Sequence, residues 1–199
     1  MKKSKKEKNK FNSSFWTFEV DNINTYAFWN NLFSKEECQK IIDIGKKKGF
    51  VKGETFEKQD IRDSRISWLY PKDDLEWAFR RVTDTIINLN AQYFNFDLFG
   101  ITEGFQFTNY VAPSGNYGKH IDRINGVAVR KLSVSIQLSS PEEYKGGELY
   151  LYGDDKGTPM DKAQGTLILF PSYTLHEVMP VTKGERNSLV TWVTGKPFK

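Results

Sequence analysis

Two kinds of hydrophobic spacing divide the 199-residue chain. Between residues 34 and 90, apolar positions recur at three- and four-residue steps, which marks helices with one buried face. The first run is Cys38, Ile41, Ile42 and Ile44, opened by Ser34-Lys35-Glu36-Glu37 and closed by Gly49. Ser34 can accept from first-turn amides while Glu37 reaches back, a capping box, so a helix is expected over 34–49. The second run, Leu75, Ala78, Phe79, Val82, Ile86 and Leu89, predicts a helix over about 73–90. Between them, "IRDSRISWLY" (61–70) alternates enough for a strand. Upstream, "TFEVDNINTYAFW" (17–29) reads as a strand and a turn.

From residue 100 the period shortens. Strand-like runs follow one another, broken by Gly, Pro, Ser and Asp: "EGFQFTNYVA", "KLSVSIQLSS", "GELYLYG", "GTLILFPS", "LHEVMPV" and "NSLVTWVTG". Helices first and many short strands afterwards predict an α+β fold. Six or more strands without intervening helices suggest a sandwich, jelly roll or barrel, with the helices packed on its outside. No linker-like segment separates the halves, so one domain is expected over 11–199, with helical support at 30–90 and the β core at 100–199.

Charge changes the picture only at the N-terminus. The formal net charge is +4, yet the first ten residues alone hold six Lys and one Glu. The remaining residues, 11–199, are therefore slightly acidic, and residues 1–10 read as a disordered basic tail. No aromatic or Arg is interleaved with those lysines, so nucleic-acid contact beyond a weak one by the tail is not expected. No apolar run approaches the roughly 20 residues a membrane-spanning helix needs. No apolar stretch follows the basic start to make a secretory signal. A soluble, cytoplasmic protein without a membrane partner is expected. The single cysteine, Cys38, excludes an internal disulfide and sits on the buried side of the first helix, as a small apolar residue would.

The chain has two histidines, His120 and His176, both in the strand-rich half. Asp122 follows His120 by two positions, and in a strand positions i and i+2 share a face. His176 lies 54 residues beyond Asp122, just after a strand and the Pro171-Ser172 turn. Antiparallel pairing could bring it alongside. Two imidazoles and one carboxylate form the facial triad of non-haem Fe(II) oxygenases, and an i, i+2 pair on a strand favours iron. A zinc hydrolase can use the same ligand types, although the helical His-Glu-x-x-His spacing is absent. Arg186 lies ten residues past His176. A guanidinium at the base of a pocket can hold the far carboxylate of 2-oxoglutarate bidentately. A surface Arg paired with Glu185 or Glu177 is the alternative. Gly184-Glu185 would turn the chain as a hairpin, bringing Arg186 near the His176 strand. Gly146-Gly147 reads as a tight turn.

The runs "YVAPSGNYGKHID", "LSVSIQLSSPEEYKGGELYLYG" and "GTLILFPSYTLHEVMPVTKGERNSLVTW" resemble the Fe(II)/2-oxoglutarate-dependent dioxygenases of the prolyl 4-hydroxylase-like group. They look most like the PKHD-type hydroxylases. The resemblance covers residues 100–195 strongly and 28–99 weakly, where "NLFSKEECQKIIDIG" is similar to the family's first helix.

That resemblance implies a double-stranded β-helix (jelly-roll) core. It implies His120, Asp122 and His176 as ligands of Fe(II), and Arg186 as the binder of the distal carboxylate of 2-oxoglutarate. It further implies dioxygen as co-substrate, with ascorbate as a candidate addition. Tyr110 matches a family tyrosine that helps hold the co-substrate, and Trp192 a bulky residue near the iron pocket. Ser133, Ser135 and Gln137 share one face of their strand, so one of its faces would line the pocket and place Gln137 as a co-substrate contact. Many relatives carry an aromatic where Gln137 stands. Halogenating relatives lack the carboxylate, so Asp122 implies hydroxylation. Arg62, Arg65, Trp68, Tyr70, Tyr117 and Lys119 would flank the mouth, which suits an extended peptide and equally an anionic small molecule; a prolyl residue of a peptide or protein as the target is what the resemblance alone implies. The same chemistry on a small molecule or nucleobase, and a non-catalytic binding module of the same fold, are the alternatives.

Overall fold

A computed structural model describes residues 24–53, 61–122, 129–153 and 155–197. The expected basic tail and most of the 17–29 run lie outside the described residues. Among the described residues there are two α-helices. α1 (Lys35–Lys48) begins at the predicted capping box: Glu37 N donates to Ser34 Oγ at 3.2 Å, and Ser34 N to Glu37 Oε2 at 2.9 Å. α2 (Glu76–Tyr93) starts a few residues later than its periodicity suggested, because a 3-10 turn over Pro71–Asp73 takes up the start.

The strands are β1 (Ala27–Trp29), β2 (Val51–Lys52), β3 (Arg62–Asp63), β4 (Arg65–Leu69), β5 (Leu98–Ile101), β6 (Phe105–Val111) and β7 (Asn116–His120). There follow β8 (Val129–Gln137), β9 (Tyr144–Gly146), β10 (Leu149–Tyr152), β11 (Thr158–Pro159), β12 (Leu167–Pro171), β13 (Leu175–Val178) and β14 (Val181–Gly195). Among the described residues they form two sheets. The larger runs β1-β12-β8-β14-β6-β4-β2, with β5 and β9 also paired to β14; the smaller runs β11-β10-β13-β7-β3. Every pairing is antiparallel. This is the predicted α+β jelly roll with its helices outside.

Two local expectations need correction. The 61–70 run is not one strand: it breaks at Ser64, sending β3 to the smaller sheet and β4 to the larger. Nor does the chain turn back at Gly184-Glu185. β14 runs on through both residues, with Gly184 at a φ of 77°. A Cβ there would meet the Glu143 carbonyl oxygen at 2.0 Å, so glycine serves close approach of backbones rather than a hairpin.

Alternation on the larger sheet sorts its two faces. Leu132, Val134 and Ile136 of β8, Leu167 and Leu169 of β12, and Leu189 and Val193 of β14 meet the buried faces of both helices. Phe79 of α2 stacks on Phe105 of β6 at 3.6 Å between ring centroids. The opposite face is different: Gln106, Ser133, Ser135, Arg186 and Ser188 are buried polar residues there, and they line a cavity. A smaller apolar cluster including Leu149, Leu151, Phe170 and Val178 packs between the sheets beside it. A sheet face that spends buried positions on polar groups is built around something other than its own core.

Candidate metal and co-substrate site

The register of the smaller sheet assembles the first part of the site. β7 and β13 pair with His120 directly opposite His176, so the two imidazoles lie with ring centroids 4.1 Å apart. Asp122 is not on β7, as the i, i+2 argument supposed; the strand ends at His120. The carboxylate reaches the same point because Asp122 N donates to the Ser172 carbonyl at 3.0 Å, on the connection from β12 to β13. Asp122 Oδ2 lies 3.4 Å from His176 Nε2, and Oδ1 lies 3.7 Å from His120 Nε2. One ligand atom from each of the three residues lies within 4.8 Å of the others.

The ring tautomers follow from the partners. His120 Nδ1 is 2.7 Å from the Gly118 carbonyl and His176 Nδ1 is 2.9 Å from that of Thr174. A carbonyl only accepts, so each Nδ1 carries a proton and each Nε2 is the nitrogen turned toward Asp122. Burial, reinforced by His176, holds the His120 imidazole down at about 4, against the opposing pull of Asp122, so it is neutral at neutral pH. Burial alone would push the Asp122 carboxyl up; the two imidazoles and the Ser133 hydroxyl outweigh it and hold it below the ordinary range. Two imidazoles and one carboxylate, with Nε2 and Oδ atoms converging, are a donor set for a divalent transition metal with open positions.

Arg186 completes the cavity from the larger sheet, where it pairs in register with Tyr110. It is 1% exposed, which removes the surface-Arg alternative. Glu185 pairs with Lys46 and Glu177 accepts from Tyr152. Arg186 Nη2 donates to Gln137 Oε1 at 2.9 Å, and its guanidinium lies 5.3 Å from the centre of the Tyr110 ring. Among the described residues its charge has no carboxylate partner, and its buried Nε has no hydrogen bond. The nearby buried Tyr144 hydroxyl also lacks one. A buried cation without a counter-ion is expensive, so this corner has the chemistry to take an anion. Gly147, at a φ of 67°, makes room for it: a Cβ there would meet Arg186 Cδ at 2.9 Å.

The cavity measures about 630 Å³ and is lined by His120, Asp122, His176, Arg186, Tyr110 and Trp192 together. Of the expected mouth residues, Arg62, Trp68 and Tyr117 line it; Arg65, Tyr70 and Lys119 do not. Lys119 instead lies over the Tyr152 ring, and Tyr70 faces Lys48. Gln137 also departs from expectation. It does not line the cavity, because its carboxamide is taken up by Arg186 and, through Nε2, by the Asp161 carbonyl at 3.1 Å. Sequence reasoning missed Tyr117 as a partner of His120, on which it stacks at 3.5 Å, and Ser133 and Ser172 as partners of Asp122. The polar face of "LSVSIQLSS" was a signal for Ser133, but nothing local pointed it at Asp122.

Residues 105–194 match the model of the 2OG-Fe(II) oxygenase superfamily. A PKHD-type hydroxylase of Prochlorococcus marinus is 34% identical over 174 residues, covering 82% of this chain and 76% of that one. A shorter match to a PKHD-type hydroxylase of Maricaulis maris is 41% identical over 78 residues, 39% of this chain and 36% of that one. Among solved structures, a Trichoplax adhaerens prolyl hydroxylase in complex with a hypoxia inducible factor peptide fragment superposes with a TM-score of 0.71. Its identity is 22%, over 86% of this chain and 84% of that one. That likeness concerns the fold. No helix among the described residues is long and apolar enough to cross a membrane. By sequence, the chain belongs to the PKHD-type hydroxylases of the 2OG-Fe(II) oxygenase superfamily, oxidoreductases that work with Fe(II) and 2-oxoglutarate.

Proposed function

We propose that residues 11–199 act as one oxygenase unit that hydroxylates a C–H bond, with a prolyl residue of a peptide or protein as the substrate. His120, Asp122 and His176 are the metal ligands in this reading. Arg186, over the Tyr110 ring, takes the distal carboxylate of 2-oxoglutarate. Bound together, the metal and co-substrate supply activation of dioxygen, coupling conversion of 2-oxoglutarate to succinate and carbon dioxide with insertion of the second oxygen atom into a C–H bond. The observation that carries the reading is the shared cavity: a converging His-Asp-His set and a buried, carboxylate-free guanidinium open into the same space.

The protein's own part is orientation and exclusion of water. The Nδ1 hydrogen bonds to Gly118 and Thr174 fix the ring planes, and the Tyr117 ring covers His120. Gln137 fixes the guanidinium from behind. Support for a peptide comes from the lining of the cavity, which includes the apolar Val51, Ile66 and Trp68 as well as Lys52 and Arg62. The Trichoplax neighbour, which holds a peptide, adds to it.

The test is succinate release in air with Fe(II), 2-oxoglutarate and panels of proline-containing peptides, matched proline-free peptides, and small molecules including nucleobases. Proline peptides should stimulate succinate and gain one oxygen by mass. Stimulation by small molecules alone would replace the prolyl assignment; no succinate under any condition, from folded iron-loaded protein, would remove the catalytic reading.

A further inference from the structure

Asp122 poses a mechanical problem. It lies past the His120 end of β7, so the ladder of the smaller sheet does not carry it. A carboxylate that no strand ladder carries needs other partners to fix its orientation, and a metal ligand that swings binds weakly. What holds it comes from the opposite sheet. Ser133 Oγ donates to Asp122 Oδ2 at 2.7 Å, and the Ser172 hydroxyl lies 3.0 Å from the Ser133 oxygen. Ser133 is 1% exposed, and β8 places it between β12 and β14, paired in register with Phe170 on one side and Trp192 on the other. It therefore stands on a central strand of the larger sheet. Ser172 is itself tied to that strand, its N–H donating to the Lys131 carbonyl at 3.0 Å, while its own carbonyl accepts from Asp122 N at 3.0 Å. Hydroxyls on a buried, otherwise apolar-capable strand position are retained at a cost unless they meet a partner, and here the partner is the carboxylate.

We propose that Ser133, backed by Ser172, is a positioning residue of the metal centre: it fixes one oxygen of Asp122 so that the carboxylate meets the metal in a single orientation. The inference rests on the reading of His120, Asp122 and His176 as metal ligands, and it adds a residue that the ligand set alone does not contain. The tie crosses between the two sheets, so it also fixes the spacing of the metal centre from the larger sheet, where Arg186 stands.

The experiment is titration of the metal-free full chain with Mn(II), followed by the electron paramagnetic resonance of the free ion, without co-substrate or turnover. Wild type is compared with Ser133→Ala, Ser133→Cys, Ser133→Thr, Ser172→Ala and His176→Ala, and the thermal midpoint of each metal-free protein is recorded. Losing the hydroxyl should weaken Mn(II) binding by about 10- to 100-fold in the Ala and Cys variants. Ser133→Thr, which keeps the hydroxyl, should stay within a few-fold of wild type. Ser172→Ala should lie between. Cys preserves volume, so a loss in Ala alone, tracking a fall in thermal midpoint, would assign Ser133 to packing and overturn the proposal. Unchanged affinity in both the Ala and Cys variants, with His176→Ala abolishing binding, would also overturn it while leaving the metal site standing. Equal binding by His176→Ala and wild type, or none by wild type, would overturn the ligand reading itself, and this proposal with it.

Discussion

Among the described residues Arg186 is the largest fully buried side chain, and the function proposed for the cavity turns on its charge. A buried guanidinium facing only neutral partners pays desolvation without a compensating ion, which a folded chain tolerates where an anion arrives in function. Its position is set by Gln137, whose Oε1 accepts at 2.9 Å. Replacing Gln137 by Ala removes an acceptor from a charged donor, worth roughly 1.5–3 kcal/mol. The KM for 2-oxoglutarate should then rise about tenfold or more, with kcat little changed, in steady-state succinate assays. An unchanged KM would return Gln137 to core packing. At this scale the sequence was informative where residue types are scarce. Two histidines in 199 residues, one followed by Asp122, left few arrangements to consider. Gln137, Ser133 and Tyr117 were harder to read, because a carboxamide, a hydroxyl or a phenol acts through whichever group the fold brings opposite, and their partners lie on other strands.

The elements show the same division between local and non-local information. α1 was legible to within a residue because its start signal, Ser34 with Glu37, is local chemistry. The 61–70 run and β14 were misread because strand identity depends on pairing: Ser64 divides β3 from β4 only since their partners belong to different sheets. The start of α1 is also tied to α2. Glu37 accepts from Arg81 Nη1 at 2.6 Å and Nη2 at 2.9 Å, and Arg81 also donates to the Leu32 carbonyl. The hydrogen bonds from Arg81, aided by the Ser34 amide, hold the Glu37 carboxyl below its ordinary range. A depressed carboxyl contributes stability that is present above the unfolded value, near 4.5, and lost as pH falls through the folded one. Both side chains are partly solvated, so the tie is worth about 1 kcal/mol at most. Glu37→Gln should lower the thermal midpoint by about 2–4 °C at pH 7 and by less at pH 3.5, measured by circular dichroism. A difference that stays constant over that range would show that the pair does not titrate as described.

At the scale of the whole molecule, the jelly roll does two things for the site. It sets a polar sheet face against a second sheet, giving a cavity of about 630 Å³ between them. It also sets His120 and His176 in register on adjacent strands while presenting Arg186 from the facing sheet. The number and brevity of the strands announced such a fold, and the family's motifs named it. The order in which the fourteen strands of the described residues pair was not legible, since it depends on contacts between segments far apart in the chain. In the proposed function one cavity binds a metal through His120, Asp122 and His176 and a dicarboxylate through Arg186. The most direct test is optical: add Fe(II) and 2-oxoglutarate without oxygen and record the visible metal-to-ligand charge-transfer band. Wild type should show a band, His176→Ala none, and Arg186→Ala a band that forms only at far higher 2-oxoglutarate. A folded, iron-loaded wild type without the band, or a His176→Ala variant that keeps it, would contradict the account.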